Sequence, residues 1–165
     1  MSATRLIAAL AIVLLSACSK DTPVEASAPT EAGTAGITLY FSAAAGLNPG
    51  ASGTPAPVRV RIYELKNSAA FARADYFALA ERAPATLAAD LIDQDEVLLQ
   101  PGEQLRLERP LDPATRQVGL VVGYREIDQA QWRSVLPVPP RDYQISLDVR
   151  AVRSAVATPQ PEPAR

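Results

Sequence analysis

The chain has 165 residues, with 16 Lys and Arg against 18 Asp and Glu, which gives a formal net charge of −2 at pH 7. So small a net charge provides no electrostatic basis for binding nucleic acid. The chain contains no histidine, and this excludes Ser-His-Asp and Cys-His nucleophiles, imidazole general bases and nearly every type of zinc site.

The N-terminal segment has the features of a bacterial lipoprotein signal peptide. Arg5 precedes an unbroken apolar run at residues 6–15, and the tetrapeptide Leu-Ser-Ala-Cys ends at Cys18, the only cysteine. The run spans about 15 Å as a helix, half of a bilayer's hydrocarbon core, so it is too short for a membrane-spanning anchor. The tetrapeptide is a lipobox, and we predict that residues 1–17 are removed and that Cys18 becomes the lipidated first residue.

An alternative interpretation is an ordinary signal peptide that ends near a buried free cysteine. It has to explain why the only cysteine stands where lipidation needs it. Ser19 follows the cysteine at the position where Asp retains a lipoprotein in the inner membrane. We therefore expect the outer membrane as the destination.

Two polar segments flank the predicted domain at residues 36–153. Residues 18–35 contain Val24 as their only large apolar residue, so we predict a flexible tether with a reach of about 20–25 Å behind the lipidated cysteine. Residues 154–165 contain three prolines and no apolar cluster, so we predict a disordered tail.

Within the predicted domain, apolar and polar residues alternate with a period of two. The clearest example places Tyr143, Ile145, Leu147 and Val149 on one face. The predicted strands are 37–42, 58–63, 96–100, 104–108, 117–124, 131–137 and 143–150. Seven strands with one apolar face each close most simply as two packed antiparallel sheets, a mainly all-β sandwich.

Residues 67–91 depart from this pattern because they are rich in alanine and space their apolar residues as a helix does. We predict a small helical insert between the second and third strands, with Asn67 and Asp75 as N-caps and Pro84 at the start of a further turn. Large apolar side chains would dock the insert on the sandwich: Phe71, Phe77, Leu79, Leu87 and Leu91.

The connection between the first two strands, residues 43–57, is unusually long for a hairpin. It contains three glycines, three prolines and a single large apolar residue, Leu47. Long loops on compact domains tend to be functional or disordered. A protruding binding loop and a tolerated floppy insertion both remain open.

Two groups of carboxylates could in principle carry chemistry. Asp93, Asp95 and Glu96 could bind calcium but lack the further spaced oxygens of a calcium loop, and a solvated turn is the alternative. Glu126 and Asp128 could form an acid/base pair of a carboxylate-dependent hydrolase, although such pairs after a strand are common in turns. We expect neither group to be a metal or catalytic site.

Arg59, Arg61 and Tyr63 share one face of the second predicted strand. This stripe supports an alternative function, in which the lipoprotein binds a small molecule or a glycan on an exposed sheet face. A solvated sheet face is the simpler interpretation.

A set of short motifs occurs in order along the domain. These are Pro-Val-Arg-Val-Arg-Ile-Tyr-Glu-Leu-Lys at 57–66, Ala-Phe at 70–71, Ala-Asp-Tyr-Phe-Ala-Leu at 74–79, Leu-Leu-Gln-Pro-Gly-Glu at 98–103, Val-Gly at 118–119, Tyr-Arg-Glu-Ile-Asp at 124–128 and Trp-Arg at 132–133. As a set behind a lipobox, they resemble the outer-membrane lipoprotein of type VI secretion, the TssJ (VasD-like) family. The resemblance extends from about residue 36 to residue 150.

The resemblance implies a transthyretin-like β-sandwich with a helical insert, held on the outer membrane and facing the periplasm. It implies a structural protein with no catalytic site and no cofactor beyond the covalent lipid on Cys18. Trp132 would fill the space between sheet and insert, and Asp75 would cap a helix.

The resemblance also implies a partner, the periplasmic domain of the inner-membrane protein TssM. The loop between the first two strands would make the contact, so that the lipoprotein anchors a trans-envelope complex. Carried onto this chain, the partner-binding residues are Gly46, Leu47, Asn48, Pro49 and Gly50, with Leu47, Asn48 and Pro49 at the tip of the loop.

Overall fold

A computed structural model describes residues 36–158 of the chain. The predicted signal peptide, the predicted lipidation site Cys18, the whole predicted tether and tail residues 159–165 lie outside the described residues. The strands are β1 (Gly36–Ala43), β2 (Val58–Leu65), β3 (Leu91–Leu99), β4 (Gln104–Pro110), β5 (Gln117–Val122), β6 (Arg133–Pro137), β7 (Asp142–Leu147) and β8 (Val152–Val156). The helices are α1 (Ala69–Arg73) and α2 (Tyr76–Leu87), with short 3-10 helices at Ala88–Asp90 and Ile127–Gln129.

The strands form two four-stranded sheets, in the orders β4-β1-β7-β8 and β3-β2-β5-β6. We call them the first and the second sheet. The predicted fold class is confirmed: a two-sheet β-sandwich with a small helical insert between β2 and β3. One pair departs from the predicted antiparallel order, because β1 and β7 run parallel, with Leu39 opposite Tyr143.

The C-terminal end of the domain differs from the prediction. β8 is an eighth strand, and it pairs with β7 so that Val156 lies opposite Tyr143. The predicted boundary of the tail at residue 154 is therefore wrong, since residues 154–156 belong to this strand. Only Val152 is buried in β8, so the strand shows no alternation. Val149 does not extend β7 as predicted but lies in the turn before β8.

The inward faces of both sheets form one apolar core, as the alternation predicts. The first sheet contributes Ile37, Leu39, Phe41, Tyr143, Ile145 and Leu147, and the second contributes Val58, Val60, Ile62, Val118, Leu120 and Val122. A one-residue slip in any of these strands would expose its apolar face to water, so the core determines the strand register.

A buried ion pair joins the two sheets at one edge. Glu64 of β2 is only 3 % exposed, and its carboxylate accepts hydrogen bonds from Arg109 Nη2 of β4 at 3.0 Å and from Thr115 Oγ1 at 2.8 Å. The backbone N–H of Asp112 donates a further bond at 3.1 Å. These partners satisfy a buried charge that would otherwise be strongly destabilising.

The helical insert packs on the outer face of the second sheet. Its apolar side chains surround Tyr63 and Val121, and Phe71 lies directly over Gly119, where a Cβ atom would come within 2.6 Å of the Phe71 ring. The Tyr63 hydroxyl donates a hydrogen bond to the Leu79 carbonyl oxygen at 2.8 Å. The insert thus covers this sheet face with a second apolar cluster.

Asp75 is the N-cap of α2, as predicted, and its Oδ1 accepts the backbone N–H of Ala78 at 2.8 Å. The prediction for Asn67 is wrong by one residue, because the N-cap of α1 is Ser68; Asn67 Oδ1 accepts the backbone N–H of Ala69 at 2.8 Å from the position before it. The predicted docking side chains are buried or half-buried, with one exception. The prediction for Phe77 is wrong: its side chain is 56 % exposed because it points away from the sheet. None of the helices in residues 36–158 is long and apolar enough to cross a membrane.

Candidate functional site: the loop end of the sandwich

Four connections lie together at one end of the sandwich, which we call the loop end. They are residues 44–57, 100–103, 123–132 and 148–151. Backbone hydrogen bonds join them: the Gly102 N–H donates to the Ala44 carbonyl oxygen at 3.2 Å, and the Asn48 N–H donates to that of Val149 at 3.1 Å. Gly36, where β1 begins, lies at the opposite end, opposite Pro110.

The long β1–β2 loop, residues 44–57, is anchored in the core by Leu47. This side chain is 0 % exposed and packs among the core residues between the sheets. The Leu47 N–H donates to the Ala44 carbonyl oxygen, and the Leu47 carbonyl oxygen accepts from the Ala56 N–H, both at 3.0 Å. The loop therefore closes on itself around a buried apolar residue.

Asn48 ties the same loop to its neighbours. Its side chain is 3 % exposed, its Nδ2 donates to the Pro57 carbonyl oxygen at 2.9 Å, and its Oδ1 accepts the backbone N–H of Arg125 at 2.8 Å. Its φ of 48° lies in the left-handed region, which Asn tolerates better than most residues. Asn48 thus satisfies buried backbone groups in two connections at once.

The predicted location of the loop tip is wrong. Leu47 and Asn48 were expected at the tip, but both are buried at the base of the loop, and Pro49 is half-buried beside them. The reason is that Leu47 is the only large apolar side chain in the loop, and it fills the open end of the core. Gly46 and Gly50 are half-buried at the same base.

The exposed tip consists of residues 51–55. Two backbone hydrogen bonds order it. The Gly53 N–H donates to the Gly50 carbonyl oxygen at 2.9 Å, and the Gly50 N–H donates to the Thr54 carbonyl oxygen at 3.0 Å. The hydroxyl groups of Ser52 and Thr54 lie 3.0 Å apart on its surface. The tip is therefore an ordered, uncharged projection on an anchored base.

Two residues that sequence reasoning did not assign to the site also lie at the loop end. The Arg125 guanidinium lies against Gly50, where a Cβ atom would approach Nη1 to 2.6 Å. Val149 is 40 % exposed, and its Cγ2 would lie 3.6 Å from a Cβ atom on Gly46. Both come from connections distant in sequence, so no local pattern could have placed them here.

Four of the five carboxylates that could carry chemistry have arginine partners, and within residues 36–158 only Asp128 has none. Asp93 and Asp95 pair with the Arg109 guanidinium at 2.9 and 3.5 Å. Glu126 pairs with Arg150 at 2.6 Å, in the contact between the connections 123–132 and 148–151. The four paired carboxylates therefore have structural partners in the sandwich.

Arg59, Arg61 and Tyr63 of β2 do not form one exposed stripe. Arg59 and Arg61 both approach Glu96, at 3.6 and 3.7 Å. Tyr63 is 1 % exposed beneath the insert, and burial raises its pKa to about 12. The expectation that Tyr63 lines an exposed binding face is therefore wrong.

Comparison with known proteins identifies the family of the chain. The sequence model of the family described as type VI secretion lipoprotein, VasD, EvfM, TssJ matches residues 35–153. No curated protein sequence matches the chain.

Three solved structures share the fold along nearly their whole length. The T6SS lipoprotein TssJ1 from Pseudomonas aeruginosa is 47 % identical, with 76 % of this chain and 98 % of that chain covered and a TM-score of 0.72. Lip from Serratia marcescens, a membrane-bound component of the type VI secretion system, is 27 % identical over 74 % and 98 %, with a TM-score of 0.70. A chain in the structure described as the T6SS protein TssM C-terminal domain from EAEC is 32 % identical over 74 % and 98 %, with a TM-score of 0.65.

The matched region contains β1 to β7, the insert and the β1–β2 loop, and it ends within β8. Sequence and fold agree, so the chain belongs to the TssJ family of type VI secretion lipoproteins.

Proposed function

We propose that this lipoprotein holds the C-terminal domain of TssM at the outer membrane, as the anchoring subunit of a type VI secretion membrane complex. A relative of the chain occurs in a structure described as the TssM C-terminal domain, which supports this partner. The Serratia marcescens relative is described as membrane-bound, which supports the membrane location. The role is structural rather than catalytic.

The proposed chain organisation follows the sequence. Residues 1–17 are a signal peptide, Cys18 carries the lipid, and residues 18–35 are a tether that enters the sandwich at Gly36. A lipid anchor keeps the domain on one surface and so raises the effective concentration of its contact with a partner. The Pro-rich tail follows β8.

The position of the β1–β2 loop supports its role as the contact. Gly36 and the loop lie at opposite ends of β1, and an eight-residue strand is about 25 Å long. A tether attached at Gly36 therefore leaves the loop end free to face away from the membrane. The exposed, ordered tip, residues 51–55, is the observation that carries this proposal.

Within the loop, the predicted contact residues divide into two roles. Leu47 and Asn48 are buried, so they shape the loop and do not themselves face the partner. Gly46, Pro49 and Gly50 are half-buried at its base and border the tip. A loop that is already ordered loses less conformational entropy on binding than a flexible one.

The experiment replaces only exposed groups, since deletion of Leu47 and Asn48 would disturb the core. The double variant Ser52→Glu/Thr54→Glu adds two charges at the tip and keeps the backbone turn. We expect its affinity for purified TssM C-terminal domain, measured by isothermal titration calorimetry, to fall more than about tenfold, because the charges would be desolvated in the interface.

The matched control is Ala69→Glu/Ala85→Glu, which adds the same charge at exposed positions of the insert. It should bind as the wild type does, and both variants should retain the circular dichroism spectrum of the sandwich. Unchanged affinity of the tip variant would refute the loop assignment.

A further inference from the structure

A groove lies between the start of α2 and the connection from β5 to β6. It has a volume of about 290 Å³. Its lining residues are Asp75, Tyr76, Phe77, Ile127, Asp128, Ala130 and Trp132. We call it the aromatic groove; Trp132 and Ala130 in its lining also pack against the core, which fixes their positions.

Three aromatic rings form one side of the aromatic groove. Tyr76 packs edge-to-face against both neighbours, with ring centroids 5.3 Å from Phe77 and 5.5 Å from Trp132. Phe77 is the most exposed aromatic side chain among the large hydrophobic residues that residues 36–158 leave exposed. Its ring is therefore available to a ligand at little further desolvation cost.

Two carboxylates flank the rings. Asp75 and Asp128 are exposed, and in the part of the chain that the structure describes neither lies within ion-pair distance of a Lys or Arg side chain. The nearby Arg133 guanidinium stacks on the Trp132 ring at 4.7 Å. It also donates to the carbonyl oxygens of Phe71 and Ala74, at 3.0 and 2.9 Å.

This combination of groups favours a cation. Aromatic faces attract Lys and Arg through their negative quadrupole, and carboxylates at the rim add a charge-assisted hydrogen bond. The other acidic residues of the second sheet that were considered above are already paired with arginine. The aromatic groove is thus complementary in charge to a basic side chain.

The aromatic groove is continuous with the loop end. The connection 123–132 contacts both: Arg125 is bonded to Asn48 of the β1–β2 loop, and the Tyr76 hydroxyl would lie 3.0 Å from a Cβ atom on Gly123. The same connection then lines the aromatic groove through Ile127, Asp128 and Trp132. A partner seated on the loop can therefore reach the aromatic groove.

We infer that the aromatic groove receives a Lys or Arg side chain, next to an apolar residue, from the same protein that binds the β1–β2 loop. This inference rests on the proposed function for the identity of that protein. The basic group lies over the rings of Phe77 and Tyr76, between the carboxylates of Asp75 and Asp128, and the neighbouring apolar residue packs on Phe77.

The test measures the affinity of the full lipidated chain, in detergent, for the TssM C-terminal domain. Asp75→Asn/Asp128→Asn removes both charges and keeps the helix cap, because Asn caps as well as Asp. We expect this variant and Phe77→Ser each to bind about five- to tenfold more weakly. The affinity of Asp75→Asn/Asp128→Asn should also fall less steeply with added salt than that of the wild type. Asp128→Lys should weaken binding further, since it opposes the incoming cation.

The matched controls make the same kinds of substitution at exposed positions outside the aromatic groove. Glu81→Gln/Asp142→Asn removes two other exposed carboxylates, and Val156→Ser removes another exposed apolar side chain. Both should bind as the wild type does.

The outcomes separate this inference from the proposed function. If the aromatic-groove variants bind like the controls while the tip variant binds more weakly, the inference is overturned and the loop assignment stands. If the aromatic-groove variants bind weakly while the tip variant binds normally, the loop assignment fails and the aromatic groove remains a contact.

Discussion

Asn48 shows how a single side chain can order a long loop. It holds Arg125 and Pro57 through two side-chain hydrogen bonds and adopts a left-handed backbone conformation. Ala at this position would leave both backbone groups without a partner and would also strain the backbone.

We expect Asn48→Ala to lower the free energy of unfolding by about 1–3 kcal/mol in urea denaturation. Asn48→Gly removes the same hydrogen bonds but relieves the strain, so it should be the more stable of the two variants. Equal stability of Asn48→Ala and the wild type would contradict this role.

The buried Tyr63 makes stability depend on pH in the alkaline range. Burial raises its pKa to about 12 and outweighs the opposite effect of Arg61, so the folded protein favours the neutral phenol. The stabilisation is complete below the ordinary tyrosine pKa of about 10 and is lost as the pH rises through about 12.

The free energy of unfolding should therefore fall between these two pH values, measured by urea denaturation at a series of pH values. In Tyr63→Phe the decline should be smaller, because one buried phenol no longer ionises. An identical decline in both proteins would show that Tyr63 does not contribute.

Individual residues at the loop end were only partly predictable from the sequence. Glycine and proline content identified the β1–β2 loop, and the order of the chain placed it between two strands. Which side chain turns inward depends on the gap at the end of the core, which Leu47 fills. The contributions of Arg125 and Val149 depend on tertiary contacts that no local pattern records.

The contact between the insert and β5 depends on the small size of Gly119. An added Cβ atom would meet Phe71 Cζ at 2.6 Å and Cε2 at 2.7 Å, so either the ring or the strand must move. We expect Gly119→Ala to destabilise the protein by about 1–3 kcal/mol in urea denaturation.

Phe71→Leu in the Gly119→Ala background should recover part of that loss, which a double-mutant cycle would reveal. Gly46→Ala is the matched control, since its Cβ would make only an ordinary contact with Val149 at 3.6 Å. Additive effects of the two substitutions would contradict the proposed clash.

At the level of strands and helices, the sequence predicts most of the fold. Alternation identifies β1, β2, β4, β5 and β7, although β5 is buried on both faces. Alanine content with the cap at Asp75 identifies the insert. β8 is not predicted, because it lies at a sheet edge and buries only Val152, so its sequence shows no alternation. The parallel pairing of β1 with β7 depends on topology rather than on local pattern.

In the proposed function, the protein is a bridge with two ends. Cys18 would attach it to a membrane and the loop end would attach it to a partner, with the sandwich between them. The buried Glu64–Arg109 pair and the shared core keep the two sheets together, and β1 connects Gly36 to the loop.

Sedimentation of the TssM C-terminal domain with outer-membrane vesicles tests both ends of this bridge in one measurement. Vesicles that carry the wild-type lipoprotein should retain the domain. Vesicles with Ser52→Glu/Thr54→Glu should keep the lipoprotein but release the domain, and Cys18→Ser should leave both in the supernatant. Equal retention of the domain by wild-type and tip-variant vesicles would contradict the bridge.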